Sequence, residues 1–98
     1  MTVYAIALLT ITDRERYGDY ERGFMEVFAP YGGSVLAVDE SPTVKEGLWP
    51  HSRTVLLAFP DAAALDRWYH SEAYQALAQH RLAASTGAVT VIKGLGAG

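Results

Sequence analysis

Within eight residues the chain carries a carboxylate, an indole, an imidazole and a guanidinium, from Glu46, Trp49, His51 and Arg53. Brought around one small pocket, such side chains could bind an anionic group through Arg53, move a proton through Glu46 or His51, and supply an apolar wall through Trp49. A guanidinium partly shielded by an indole holds an anion better than one in open water, and Glu46 would orient it, or act as base if burial raised its pKa. The same residues also fit a plain hairpin rim, in which Trp49 covers the core edge, Pro50 and Ser52 make the turn, and Glu46 pairs with Arg53. Residue types alone are compatible with either arrangement. A second group, Tyr31, Phe59, Trp68, Tyr69 and Tyr74, could wall a ligand cavity, although aromatic residues at helical spacing beside alanines more often fill a core.

Other chemistries find no support. The absence of cysteine removes disulfides, thiolate nucleophiles and cysteine-ligated metal centres. His51, His70 and His80 form neither an H-x-H nor an H-E-x-x-H pattern, so no metal ligation and no haem ligation is expected. The serines stand outside any G-x-S-x-G context and the terminal G-L-G is no phosphate loop. No cofactor is expected. Eleven acidic against eight basic residues give a net charge of −3, with only Lys45 and Lys93 as lysines. Such a balance does not neutralise a phosphate backbone, so no nucleic-acid partner is expected. The mixed-sign run DRERYGDYER reads as the solvated face of a helix.

The elements that must position these groups are legible in outline. A chain of 98 residues, half of them hydrophobic, is one domain, residues 1–98, with GLGAG at 94–98 as a flexible tail. Val3 to Ile11 is an apolar, branched run too short for a typical buried helix, and is read as a strand. It is not read as a signal peptide, since no basic residue precedes it and Asp13 to Arg16 is charged directly after it. No window approaches the ~20 apolar residues of a membrane span, and the cytoplasm is the default location.

Asp13 can cap a first helix in which Tyr17, Tyr20, Phe24, Val27, Phe28 and Tyr31 recur at helical spacing. Pro30 and the pair Gly32-Gly33 end it, one glycine taking a positive φ. Ser34 to Val38 is a second strand, Asp39 to Pro42 a break, Thr43 to Gly47 a short extension, and Thr54 to Phe59 a third strand. Asp61 caps a second helical region through Trp68 and Tyr69, with a joint at His70-Ser71. Beyond it Tyr74, Leu77, Ala78 and Arg81 are spaced i, i+3, i+4, i+7. Gly87 is expected to end this helix and Val89 to Lys93 to form the last strand.

The order β-α-β-β-α-β predicts a ferredoxin-like α+β fold: a four-stranded antiparallel sheet with its helices on one face. Strands one and three are apolar at successive positions, so the sheet face without helices would also be apolar. A soluble monomer rarely exposes such a patch, and a second copy packed sheet against sheet is the expected cover.

Three motifs reinforce this reading. PYGG after an amphipathic helix, EGLWPHSRTVLLAF from Glu46 to Phe59, and SEAYQAL from Ser71 to Leu77 together resemble the 1330 family of domains of unknown function, in the dimeric α/β-barrel superfamily. The similarity runs from Val3 to Lys93. Where the family commonly has Ser-Pro-Glu-Tyr, this chain reads Ser71-Glu72-Ala73-Tyr74. The resemblance implies a ferredoxin-like protomer that dimerises through its sheets, and carries no activity with it. Superfamily relatives include cofactor-independent monooxygenases, lactone isomerases, haem-binding enzymes and stress-induced binding modules, among which fold does not choose. The expectation is a homodimeric small-molecule-binding protein, which could be a cofactor-free enzyme acting on a small anionic or aromatic compound; whether it is an enzyme is left open. The alternative is a non-catalytic binding or assembly module.

Overall fold

Three short polar side chains start the three α-helices. In the computed structural model, which describes residues 1–95, Asp13 and Asp61 are extended residues whose carboxylates accept the backbone N–H of Arg16 and Ala64, and Ser71 accepts that of Tyr74. Each satisfies a donor that the first helical turn leaves unpaired. They launch α1 (Arg14–Phe28), α2 (Ala62–Tyr69) and α3 (Glu72–Ala84), with a short 3₁₀ turn at Ala29–Tyr31. Between them run β1 (Val3–Ile11), β2 (Ser34–Asp39), β3 (Arg53–Phe59) and β4 (Ser85–Lys93).

The strands pair antiparallel in the order β2-β3-β1-β4, the ferredoxin-like arrangement, with the helices on one face. Register places Val3, Ala5 and Leu9 beside Phe59, Leu57 and Arg53 on that face. There Trp68, 2% exposed, meets the rings of Phe28, Phe59 and Tyr74, with centroids 5.6, 5.3 and 4.2 Å away. The alternate residues Tyr4, Ile6, Leu8, Leu56, Ala58 and Ile92 share the other face, where none is buried and Ile92 is 46% exposed. Among the described residues no helix is long and apolar enough to cross a membrane.

Two glycines after α1 serve different ends. Gly32 takes φ 77° and turns the chain. Gly33 keeps an ordinary φ, but a side chain there would lie 2.6 Å from the Phe28 ring and 2.8 Å from the Phe59 ring. The end of α3 departs from expectation. Gly87 does not stop the helix: Ser85 already turns extended, its hydroxyl donating to the Arg81 carbonyl, and β4 starts there rather than at Val89. Gly87 sits inside β4 opposite Leu9 at φ 143°, where any side chain would fall on the Leu8 carbonyl oxygen. The register against β1 demands the glycine. The expected extension at Thr43 to Gly47 is irregular chain instead, and Gly47 takes φ 81°. This connection is tied to β1 at its far end, where Ser52 N–H donates to the Leu9 carbonyl and Ile11 N–H to the Ser52 hydroxyl, both at 2.8 Å. Gly94 N–H still donates to the Thr2 carbonyl; residues 96–98 of the expected tail lie outside the described residues.

Candidate functional site

Small side chains at the middle of β1 open a space under the helices. Ala5 and Ala7 stand on the helix side of β1, where Val35 and Val38 of β2, Val55 and Leu57 of β3, and Phe24 and Met25 of α1 surround a cavity of about 200 Å³. Two methyl groups leave empty what a leucine pair would fill. Trp68, Tyr74 and Tyr20 close the space from above, and two arginines, Arg53 and Arg81, contribute its cations.

Arg53 opens β3 and is held on three sides. Its guanidinium reaches Glu40 at 3.0 Å and Glu21 at 3.1 Å, and lies 5.3 Å from the centre of the Tyr17 ring. Glu40 also takes Arg14 at 2.8 Å. Hydrogen bonds from Arg14 and Arg53 hold the Glu40 carboxyl below its ordinary range. Burial works against the charge of Arg53, but Tyr17, Glu40 and Glu21 together outweigh it and raise its pKa. Burial raises the Tyr17 phenol against the pull of the same arginine, so Tyr17 stays neutral.

Arg81 is placed differently. It comes from the apolar stripe of α3, is 8% exposed, and lies 6.0 Å from the centre of the Tyr20 ring. Among the described residues no carboxylate forms a salt bridge with it, and its Nε has no hydrogen-bond partner. Its neighbours are phenols. Tyr20 and Tyr74 join their hydroxyls at 2.8 Å in the buried interior, and burial foremost, then Tyr74, pushes the Tyr20 pKa up. Trp68 likewise leaves its buried Nε1 without a partner.

Of the residues singled out in the sequence, Arg53, Trp68 and Tyr74 line this cavity. Glu46, His51 and Trp49 do not. Glu46 is exposed on the connection between β2 and β3 and forms no salt bridge among the described residues; the carboxylates at Arg53 are Glu21 and Glu40, not Glu46. Trp49, 42% exposed, packs edge-on against His51 at 5.3 Å. Phe59, 1% exposed, is core, and Tyr31 packs against that core. Sequence reading passed over Tyr17, Tyr20, Glu21 and Arg81 as site residues. Arg81 left a signal, being a charge at a position of α3 that the i, i+3, i+4, i+7 stripe assigns to the interior. Among the described residues no cluster of three or more metal-ligating side chains occurs.

Comparison with known proteins places the chain. A family model described as a domain of unknown function (DUF1330) matches residues 2–95. No curated protein matches the sequence significantly. A solved structure of a protein of unknown function from Rhodopseudomonas palustris superposes with a TM-score of 0.82 at 20% identity, over 96% of this chain and 82% of the other. SnoaB from Streptomyces nogalater, described as a cofactor-independent oxygenase, gives 0.71 at 13% identity over 98% and 95%. A dimeric ferredoxin-like protein of unknown function from Jannaschia sp. gives 0.68 at 17% identity over 96% and 100%. Identities this low establish the shared fold.

Proposed function

The chain belongs to the DUF1330 family of domains of unknown function, and on that premise we propose that it is a homodimer whose protomers each bind a small, mainly apolar or aromatic compound between sheet and helices and transform it without a cofactor. The cavity carries this reading. It is lined mainly by apolar side chains with a few polar groups, the usual composition of a small-molecule site, and its space follows from alanines on β1. Arg53 marks its polar side, and Trp68 and Tyr74 are its walls. The neighbour described as a cofactor-independent oxygenase supports chemistry done by protein side chains on a bound substrate. The open apolar sheet face and the dimeric neighbour support pairing through the sheets.

One observation favours the second reading, a binding module without turnover. The described residues of the lining include no histidine, and their one carboxylate, Glu21, is already engaged by Arg53. A thermal-shift screen of small aromatic compounds, run in parallel on the Ala7→Leu variant, tests the cavity: hits should stabilise the natural protein and not the filled one. Hits that stabilise both equally, or no hits, would defeat the proposal. Incubating a hit in air without added metal or cofactor, and following its loss and oxygen uptake, separates enzyme from binding module.

A further inference from the structure

The two arginines of the cavity differ in their charge balance. Arg14, Arg53, Glu21 and Glu40 form a connected set of two cations and two anions, so Arg53 brings no net charge to the cavity. Arg81 has no counterpart among the described residues and is more than nine-tenths buried. A buried guanidinium without an anion is costly, and an anion brought by a ligand would offset that cost. The hydrogen-bond inventory points the same way. Three buried donors of the lining, Nε of Arg53, Nε of Arg81 and Nε1 of Trp68, have no acceptor. The only carboxylate of the lining among the described residues, Glu21, is spent on Arg53. Apart from the phenol oxygens of Tyr17, Tyr20 and Tyr74, the described lining offers these donors no free side-chain acceptor and no free anion.

From these observations, and resting on the cavity reading above, we infer that the ligand carries a single carboxylate, which seats against Arg81 while its apolar or aromatic body fills the space beside Ala5 and Ala7. The planar guanidinium presents a paired N–H edge that a carboxylate matches with two parallel hydrogen bonds, a fit that a neutral amide of the same shape cannot make. The hydrogen-bonded Tyr20 and Tyr74 hydroxyls hold the surroundings of that edge in place.

Calorimetric titration of the full chain with 2-naphthoate and with its neutral isostere 2-naphthamide tests the assignment. The natural protein should bind the acid at least tenfold more tightly than the amide. Arg81→Met should abolish that preference, leave amide binding within about twofold, and melt no lower than the natural protein, because it removes a buried unpaired charge. Arg14→Met, which deletes an exposed cation outside the cavity, should retain the preference. Equal binding of acid and amide by the natural protein overturns the inference while sparing the cavity. So does survival of the preference in Arg81→Met, or in Arg81→Gln should the methionine variant fail to fold. Binding of neither compound removes the cavity reading and this inference together.

Discussion

Filling the cavity from its floor gives the sharpest test of what it is for. Ala7→Leu projects a branched side chain from the helix side of β1 into a space of about 200 Å³ lined by Val35, Val55 and Phe24. The substitution adds three carbons to an apolar site that already exists, each worth ~0.8 kcal/mol on burial, or about 2.4 kcal/mol in all. Ordering the leucine side chain costs ~0.5–1 kcal/mol, leaving a net gain of about 1.5 kcal/mol. For a domain of this size that gain corresponds to a rise in Tm of about 6–12 °C, read by differential scanning calorimetry at fixed protein concentration. Ligand binding should be lost at the same time, because the new side chain occupies the ligand's volume. A protein kept unfilled against a stabilisation this easily gained is exchanging stability for a site. A Tm that falls by several degrees would mean that the space is already packed and the leucine is strained, and unchanged ligand affinity would place the ligand elsewhere.

Further outcomes follow from other parts of the molecule. Gly87→Ala should cost ~3 kcal/mol or more, since it combines a positive φ with a collision against the Leu8 carbonyl of the paired strand; a urea midpoint close to that of the natural protein would contradict the β1–β4 register. Ile6→Lys puts a charge at the middle of the apolar outer face of the sheet and should halve the mass seen by light scattering, whereas a monomeric natural protein would end the sheet-to-sheet proposal. The depressed pKa of Glu40, owed first to Arg14 and then to Arg53, stabilises the fold above the ordinary carboxylate pKa of about 4.3 and loses that contribution as pH falls through the lower folded value. Because Glu40 is largely exposed the effect should be small, and Glu40→Gln should flatten the drop in urea midpoint between neutral pH and pH 3; an equal drop in the variant would dismiss it.

The local signals were readable because they act over a few residues. Asp13, Asp61 and Ser71 each satisfy a backbone donor within their own first turn, so the helix starts follow from residue type and position. Gly32, left-handed at φ 77°, ends the helical run for a reason contained in the same short stretch; Pro30 does not, since Ala29 keeps helical angles and the chain runs on through the 3₁₀ turn Ala29–Tyr31. The strands' apolar character and the β-α-β-β-α-β order then left few topologies, and the ferredoxin-like sheet is one of them. Gly87 shows where such reading stops. Its positive φ looks like a helix stop, yet its reason lies in Leu8, a residue far away along the chain that only the β1–β4 register brings beside it. Charge pairing failed in the same way. Glu46 is the nearest carboxylate to Arg53 in the connection that leads into β3, but the sheet and α1 deliver Glu40 and Glu21 instead. The cavity itself had no sequence signature, since two alanines on a strand read as poor packing until helices arch over them. Arg81 on an apolar stripe was a visible anomaly, and its meaning came from what the fold omits around it: an ion pair is a contact in space, and sequence distance carries no information about which carboxylates arrive.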